Sequence, residues 1–121
     1  MAAPNLAKTT HIYGKTSAAA LSTTLTTNLL ECPSNKVLKI NTIIASNVDG
    51  TNAYDLTVSF YDASATTAFA LASTVSVPAD ATLVVLSKES PIYLEEGDQI
   101  QGGAGAASDG EIVISYEEIS D

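Results

Sequence analysis

Between Tyr54 and Tyr61 apolar and polar residues alternate without a break. Tyr54, Leu56, Val58 and Phe60 fall on one side, with Asp55, Thr57, Ser59 and Tyr61 on the other. A period of two marks a β-strand with one buried face, because successive side chains of a pleated chain point in opposite directions. Upstream, Leu38, Ile40 and Ile44 lie on one side of a second apolar run, with Lys39 and Asn41 opposite. Asn47, Asp49, Gly50 and Asn52 separate the two runs and are residues that suit turns. We therefore expect a β-hairpin over 36–62. Other segments must cover its apolar face, since a lone hairpin is not stable in water.

The same signals recur along the chain. NLAKTTHIYGK, residues 5–15, is expected to be an extended arm or edge strand anchored by Leu6 and Ile12 and ended by Gly14. Threonines 23, 24, 26 and 27 favour short strand pieces at 20–25 and 27–31, although Ala18–Leu21 could begin a helix. Pro33 then forces a turn. Phe69, Leu71, Val75 and Val77 are expected on one face of the next strand, and Leu83–Leu86 forms a short apolar strand. A strand through Ile92 and Leu94 ends in the turn Glu95–Asp98, which feeds a strand at Gln99-Ile100. Gly102, Gly103, Gly105 and Gly110 are expected in a flexible loop before the closing strand EIVISYEEIS. The expected fold class is all-β: an antiparallel β-sandwich or jelly-roll-like barrel of about eight strands with an N-terminal extended arm. A small α+β domain with a helix at 17–25 is the alternative. The expected organisation is an arm or edge strand over 1–16 and a single sandwich domain over 17–121.

At 121 residues and 45% hydrophobic content the chain can bury a single core. No apolar run is long enough to span a bilayer, and MAAPNLAKTT lacks the pattern of a secretory signal. Cys32 is the one cysteine, so no intrachain disulfide forms, and a small buried hydrophobe is its expected role. The net charge is −9 and arginine is absent, which speaks against nucleic-acid binding. The charge is also uneven. Residues 1–48 hold four of the five lysines against Glu31 alone, and residues 49–121 hold the other thirteen acids against Lys88.

No set of residues suggests catalysis. Gly14-Lys15-Thr16 ends like a phosphate-binding loop, but Thr9 stands where the motif needs its first glycine. His11 is isolated and lacks zinc-ligand spacing. No serine lies in a G-x-S-x-G context. Glu95, Glu96 and Asp98 could hold a hard cation, but acidic turns are ordinarily solvated. Tyr13, Tyr54, Tyr61, Tyr93 and Tyr116 could line a sugar-binding face, though tyrosine is also common sheet filler. We expect no enzymatic activity and no cofactor.

Over nearly its full length the chain resembles small virion structural proteins of marine tailed bacteriophages, especially those of cyanobacterial hosts. The segments that carry the resemblance are MAAPN, Tyr13-Gly14-Lys15-Thr16, KINTIIASNVDGTNAYDLTV, VPADATLVVLSKESPIYLEEGDQI and ISYEEIS. The resemblance implies a capsid decoration, or cement, protein made in the host cytoplasm and carried on the virion. Its partners would be the major capsid protein and further copies of itself, as a homotrimer or other small homo-oligomer, with no nucleic acid or membrane. Lys8, His11, Tyr13 and Lys15 in the basic arm are the candidate capsid or subunit contacts. The alternative is a neck, tail or fibre module that binds a host receptor or glycan.

Overall fold

A computed structural model describes residues 4–121, and the first three residues of the expected arm lie outside the described residues. Nine strands follow one another: β1 (His11–Ala20), β2 (Asn28–Glu31), β3 (Val37–Asn47), β4 (Tyr54–Asp62), β5 (Thr67–Val77), β6 (Thr82–Leu86), β7 (Ile92–Leu94), β8 (Gln99–Ala104) and β9 (Gly110–Ser120). They form two antiparallel sheets packed face to face. One has the order β1-β9-β3-β6, with β7 also on β3, and the other has the order β2-β8-β4-β5. This is the strand order of a jelly roll. β6 and β7 pair with successive parts of β3, Ile43–Ser46 and Leu38–Ile40. They are two halves of one strand interrupted at 87–91, which accounts for nine pieces where about eight were expected.

The expected hairpin is not one. β3 and β4 lie in different sheets and do not pair. The turn-rich segment 48–53 carries the chain from one sheet to the other, so the two apolar rows face each other across the core. Tyr54, Leu56 and Val58 are buried as the alternation predicts, opposite Leu38 and Ile40. A bulge between Ile40 and Thr42 then reverses the parity of β3. Ile43 and Ala45 are fully buried as a result, and Ile44 turns to the outer face.

Three further expectations are corrected. β1 does not end at Gly14 but runs to Ala20, across the expected boundary at residues 16 and 17, so the arm is an edge strand paired with β9. β5 carries register shifts opposite Leu56, Val58 and Ser59, which break its apolar row. Val77 is buried, but Phe69, Leu71 and Val75 are exposed. Gly102 and Gly103 are not loop residues: they sit inside β8, and Gly110 opens β9. Gly102 and Gly103 are there because backbone passes over them, and Gly110 because the Tyr54 ring does. A Cβ on Gly103 would lie 2.6 Å from the Thr24 carbonyl oxygen and 2.8 Å from that of Ser22.

Buried polar side chains tie the loops at each end of the sandwich. At one end the Asp98 carboxylate accepts the Ala63 N–H (2.9 Å) and the Glu95 N–H (3.0 Å), joining the β4–β5 and β7–β8 turns. The Cys32 N–H donates to the Asp98 carbonyl, and the Gly97 N–H donates to that of Cys32. At the other end the Asn47 amide donates to the Asn52 and Val77 carbonyls (2.8 and 2.9 Å), and its oxygen accepts the Asp49 N–H (2.8 Å). Both side chains are buried and fully used.

Candidate functional site

β1 positions three of the four candidate contact residues. His11, Tyr13 and Lys15 alternate along the strand and share the face on which β9 buries Ile112 and Ile114. They are exposed nonetheless, because β2, the edge strand facing them in the other sheet, is only four residues long. The His11 and Tyr13 rings stack at 5.9 Å and 15°. The His11 Nδ1 lies 2.8 Å from the Thr10 hydroxyl. Lys8 is not part of this row; it is exposed in the preceding turn, where its N–H donates to the Asn5 carbonyl.

Lys15 Nζ donates to Glu118 Oε2 at 2.8 Å, and Lys36 Nζ lies 3.5 Å from the same oxygen. The Lys15 hydrogen bond is the main cause holding the Glu118 carboxyl below the usual glutamate range. The same contact raises Lys15. Lys39 stands opposite Glu117 in the β3–β9 register. Much of the basic N-terminal third therefore meets its acidic neighbour within the chain, on β9.

A carboxyl held below its unfolded value stabilises the fold at pH above that value. The contribution is lost as pH falls through the folded-state value. The urea midpoint of Glu118→Gln is accordingly expected below wild type at pH 7, and the gap should close on acidification past the ordinary glutamate value, about 4.3. A gap that stays constant from neutral to acid pH would remove the ion triad from the stability account.

Elsewhere the candidate chemistry is occupied. Cys32 is buried, its thiol donates to the Lys36 carbonyl at 3.1 Å, and desolvation is the main cause pushing its pKa up to about 11. A thiol held neutral in this way is not a nucleophile at neutral pH. In the acidic turn, Asp98 holds two backbone N–H groups, and Glu96 accepts the Asn35 N–H at 3.0 Å. No three His, Cys, Asp or Glu side chains converge as metal ligands among the described residues. The tyrosines are dispersed: Tyr54 is buried with its hydroxyl on the Ser46 carbonyl, and Tyr93 is exposed on β7.

An apolar groove that no sequence pattern announces lies at the open corner of the sandwich. Phe60, Phe69, Leu71, Ile92 and Tyr93 line about 220 Å³ between the edge strands β5 and β7. Phe69 is 54% exposed at its rim. The groove exists because the bulged β5 does not close over the short β7. Its sequence signal is the break in period at Ala72–Thr74, visible only once the register is known. A second apolar row, Ala18, Val113, Ile44 and Val84, crosses the outer face of the β1-β9-β3-β6 sheet in register. Val84 is thus half-exposed on an edge strand.

The fold and its surfaces define a small acidic β-sandwich with exposed apolar contact areas. No protein-family model, curated protein or solved structure matches the chain.

Proposed function

We propose that the chain is a non-enzymatic structural part of a bacteriophage virion, a decoration protein that binds the outer surface of the capsid and stabilises the head. One observation carries the reading: contact surface and reactive groups are separated. Apolar side chains lie open in the Phe60–Tyr93 groove and across the outer sheet. The buried thiol, carboxylate and amide are bonded to backbone. Exposed apolar surface of this kind suits docking to a partner, and the major capsid protein is the partner that the resemblance supplies. The protein would also form a small homo-oligomer on the particle.

Quantitative mass spectrometry of the virion tests this. A copy number that scales with the capsid lattice, together with binding of the purified protein to empty capsids, is expected. A handful of copies and no capsid binding would defeat the decoration reading. That outcome would favour the alternative of a neck, tail or fibre module that binds a receptor or glycan, for which the aromatic groove of Phe60, Phe69 and Tyr93 would be the candidate platform.

A further inference from the structure

An exposed sheet edge invites pairing with another chain, and proteins ordinarily blunt such edges with bulges, prolines, charges or short strands. Three of the four edges here are blunted. β5 has shifted register and Thr74 at φ 48°. β2 has four residues and a register shift. The β6–β7 edge is interrupted, with Pro91 just before β7.

β1 differs from all of them. Its ten residues pair with β9 from His11↔Ser120 to Ala20↔Glu111 without a shift. It contains no proline, and residues 1–30 contain no acid. The Leu21 N–H donates to the Gly110 carbonyl at 2.8 Å. Because hydrogen-bonded and non-bonded pairs alternate in an antiparallel ladder, odd-numbered residues of β1 bond β9. Ile12, Gly14, Thr16, Ala18 and Ala20 therefore direct their N–H and C=O groups to the open edge.

We propose that this edge pairs with the same edge of a second copy, antiparallel about a two-fold axis at Thr16, to join two sheets into one. Three constraints select that register. Only even-numbered residues face the edge, so even must pair with even. Near-complete overlap then leaves an axis at Lys15 or at Thr16. An axis at Lys15 sets two ammonium groups directly opposite, which is destabilising. The Thr16 axis sets Lys15 against Ser17.

The strand is also self-complementary in shape. Its large residues, His11, Ile12 and Tyr13, lie at one end, and Ala18, Ala19 and Ala20 lie at the other. Pairing about Thr16 puts Ile12, 61% exposed in the single chain, beside Ala20 of the second copy, and Tyr13 beside Ala19. About ten backbone hydrogen bonds form across the axis. A second copy is also the occupant that charge allows. Two chains of net charge −9 repel over most of their surfaces, and the acid-free β1 edge is where they approach at least cost. Edge pairing alone lies at or below the low end of specific interface sizes, about 1,000 Å² in total, so the dimer is concentration-dependent.

This inference does not rest on the capsid reading, and its test is made in solution without virions. Sedimentation and residue-resolved amide exchange are compared between dilute protein and protein at about 1 mM, where weak association is populated. The expected result is a dimer in which the amides of Ile12, Gly14, Thr16, Ala18 and Ala20 gain protection, while the odd-numbered amides of β1 are protected at both concentrations. Thr16→Pro removes an edge N–H but none of the ladder to β9, a position where an edge strand accepts proline. It is expected to keep the ladder protection and lose the dimer. A wild-type chain that stays monomeric, a dimer whose even-numbered amides remain fast, or a Thr16→Pro variant that keeps its ladder and dimerises like wild type would each overturn the proposal.

Discussion

Asp98→Ala is expected to lower stability by about 2 kcal/mol, because two part-buried N–H groups lose their acceptor, each at the lower end of the roughly 1–3 kcal/mol that a fully buried loss costs. Ala63 and Glu95 contribute those groups from different turns, so one carboxylate ties two loops at this end of the sandwich. Asp98→Asn separates loss of shape from loss of acceptors. It keeps one acceptor oxygen but turns an NH₂ group toward the second N–H, and an intermediate loss is expected. Urea denaturation of the two variants against wild type checks the order. An Asp98→Ala midpoint equal to wild type would mean that water replaces the carboxylate without cost, and the knot would then be incidental.

The second large effect is expected at Gly103. An alanine Cβ there would press on the Thr24 and Ser22 carbonyl oxygens at 2.6 and 2.8 Å, with the Thr24 carbonyl carbon at 3.0 Å. These are backbone atoms, not flexible side-chain ends, so the 21–27 loop must lift. Two hydrogen bonds hold that loop to β8, from the Ala104 N–H to the Ser22 carbonyl and from the Gly102 N–H to the Thr27 carbonyl. Overpacking together with loss of one or both bonds predicts a destabilisation of about 2–4 kcal/mol for Gly103→Ala. Gly14→Ala is the internal control. Its Cβ would meet nothing within 4 Å, and a strand interior favours alanine over glycine, so its thermal midpoint should equal or slightly exceed wild type. Equal midpoints for both variants would show that the loop does not press on β8.

These positions also show where sequence reasoning reached and where it stopped. β4 was legible because its side chains alternate without interruption and its inner row meets the opposite sheet. β3 was legible until the bulge after Ile40, where one inserted residue exchanged Ile44 for Ile43 in the core. β5 was misjudged in part for the same reason: Phe69, Val75 and Val77 do stand opposite the inner row of β4, but the register shifts put Ala72 there in place of Leu71. A bulge needs no composition of its own, so an apolar row read at even spacing conceals the change of face. The glycines of β8 carry no local signal at all, since what forbids a side chain at Gly103 is a loop some eighty residues earlier in the chain. Asp98 is a similar case: the motif Glu95–Asp98 announces a turn, but not that its last carboxylate turns inward to hold Ala63. Of the candidate contacts, His11, Tyr13 and Lys15 share a strand face as their spacing of two implies. The groove of Phe60, Phe69, Leu71, Ile92 and Tyr93 depends on which strands become neighbours, and only the assembled sheets reveal it.

The pairing of β1 with β9 also bears on the order of events during synthesis. Lys15 finds Glu118 across 103 residues of chain. While the intervening strands emerge from the ribosome, β1 has neither of its edges satisfied, and closing so long a loop is the slow kind of step in β folding. The segment that waits is rich in alanine and other small residues, with one lysine near its centre and few large apolar side chains. That composition keeps a nascent strand solvated and slow to aggregate. β9 is thus the strand that recruits β1, and their sheet completes itself only when β9 is released.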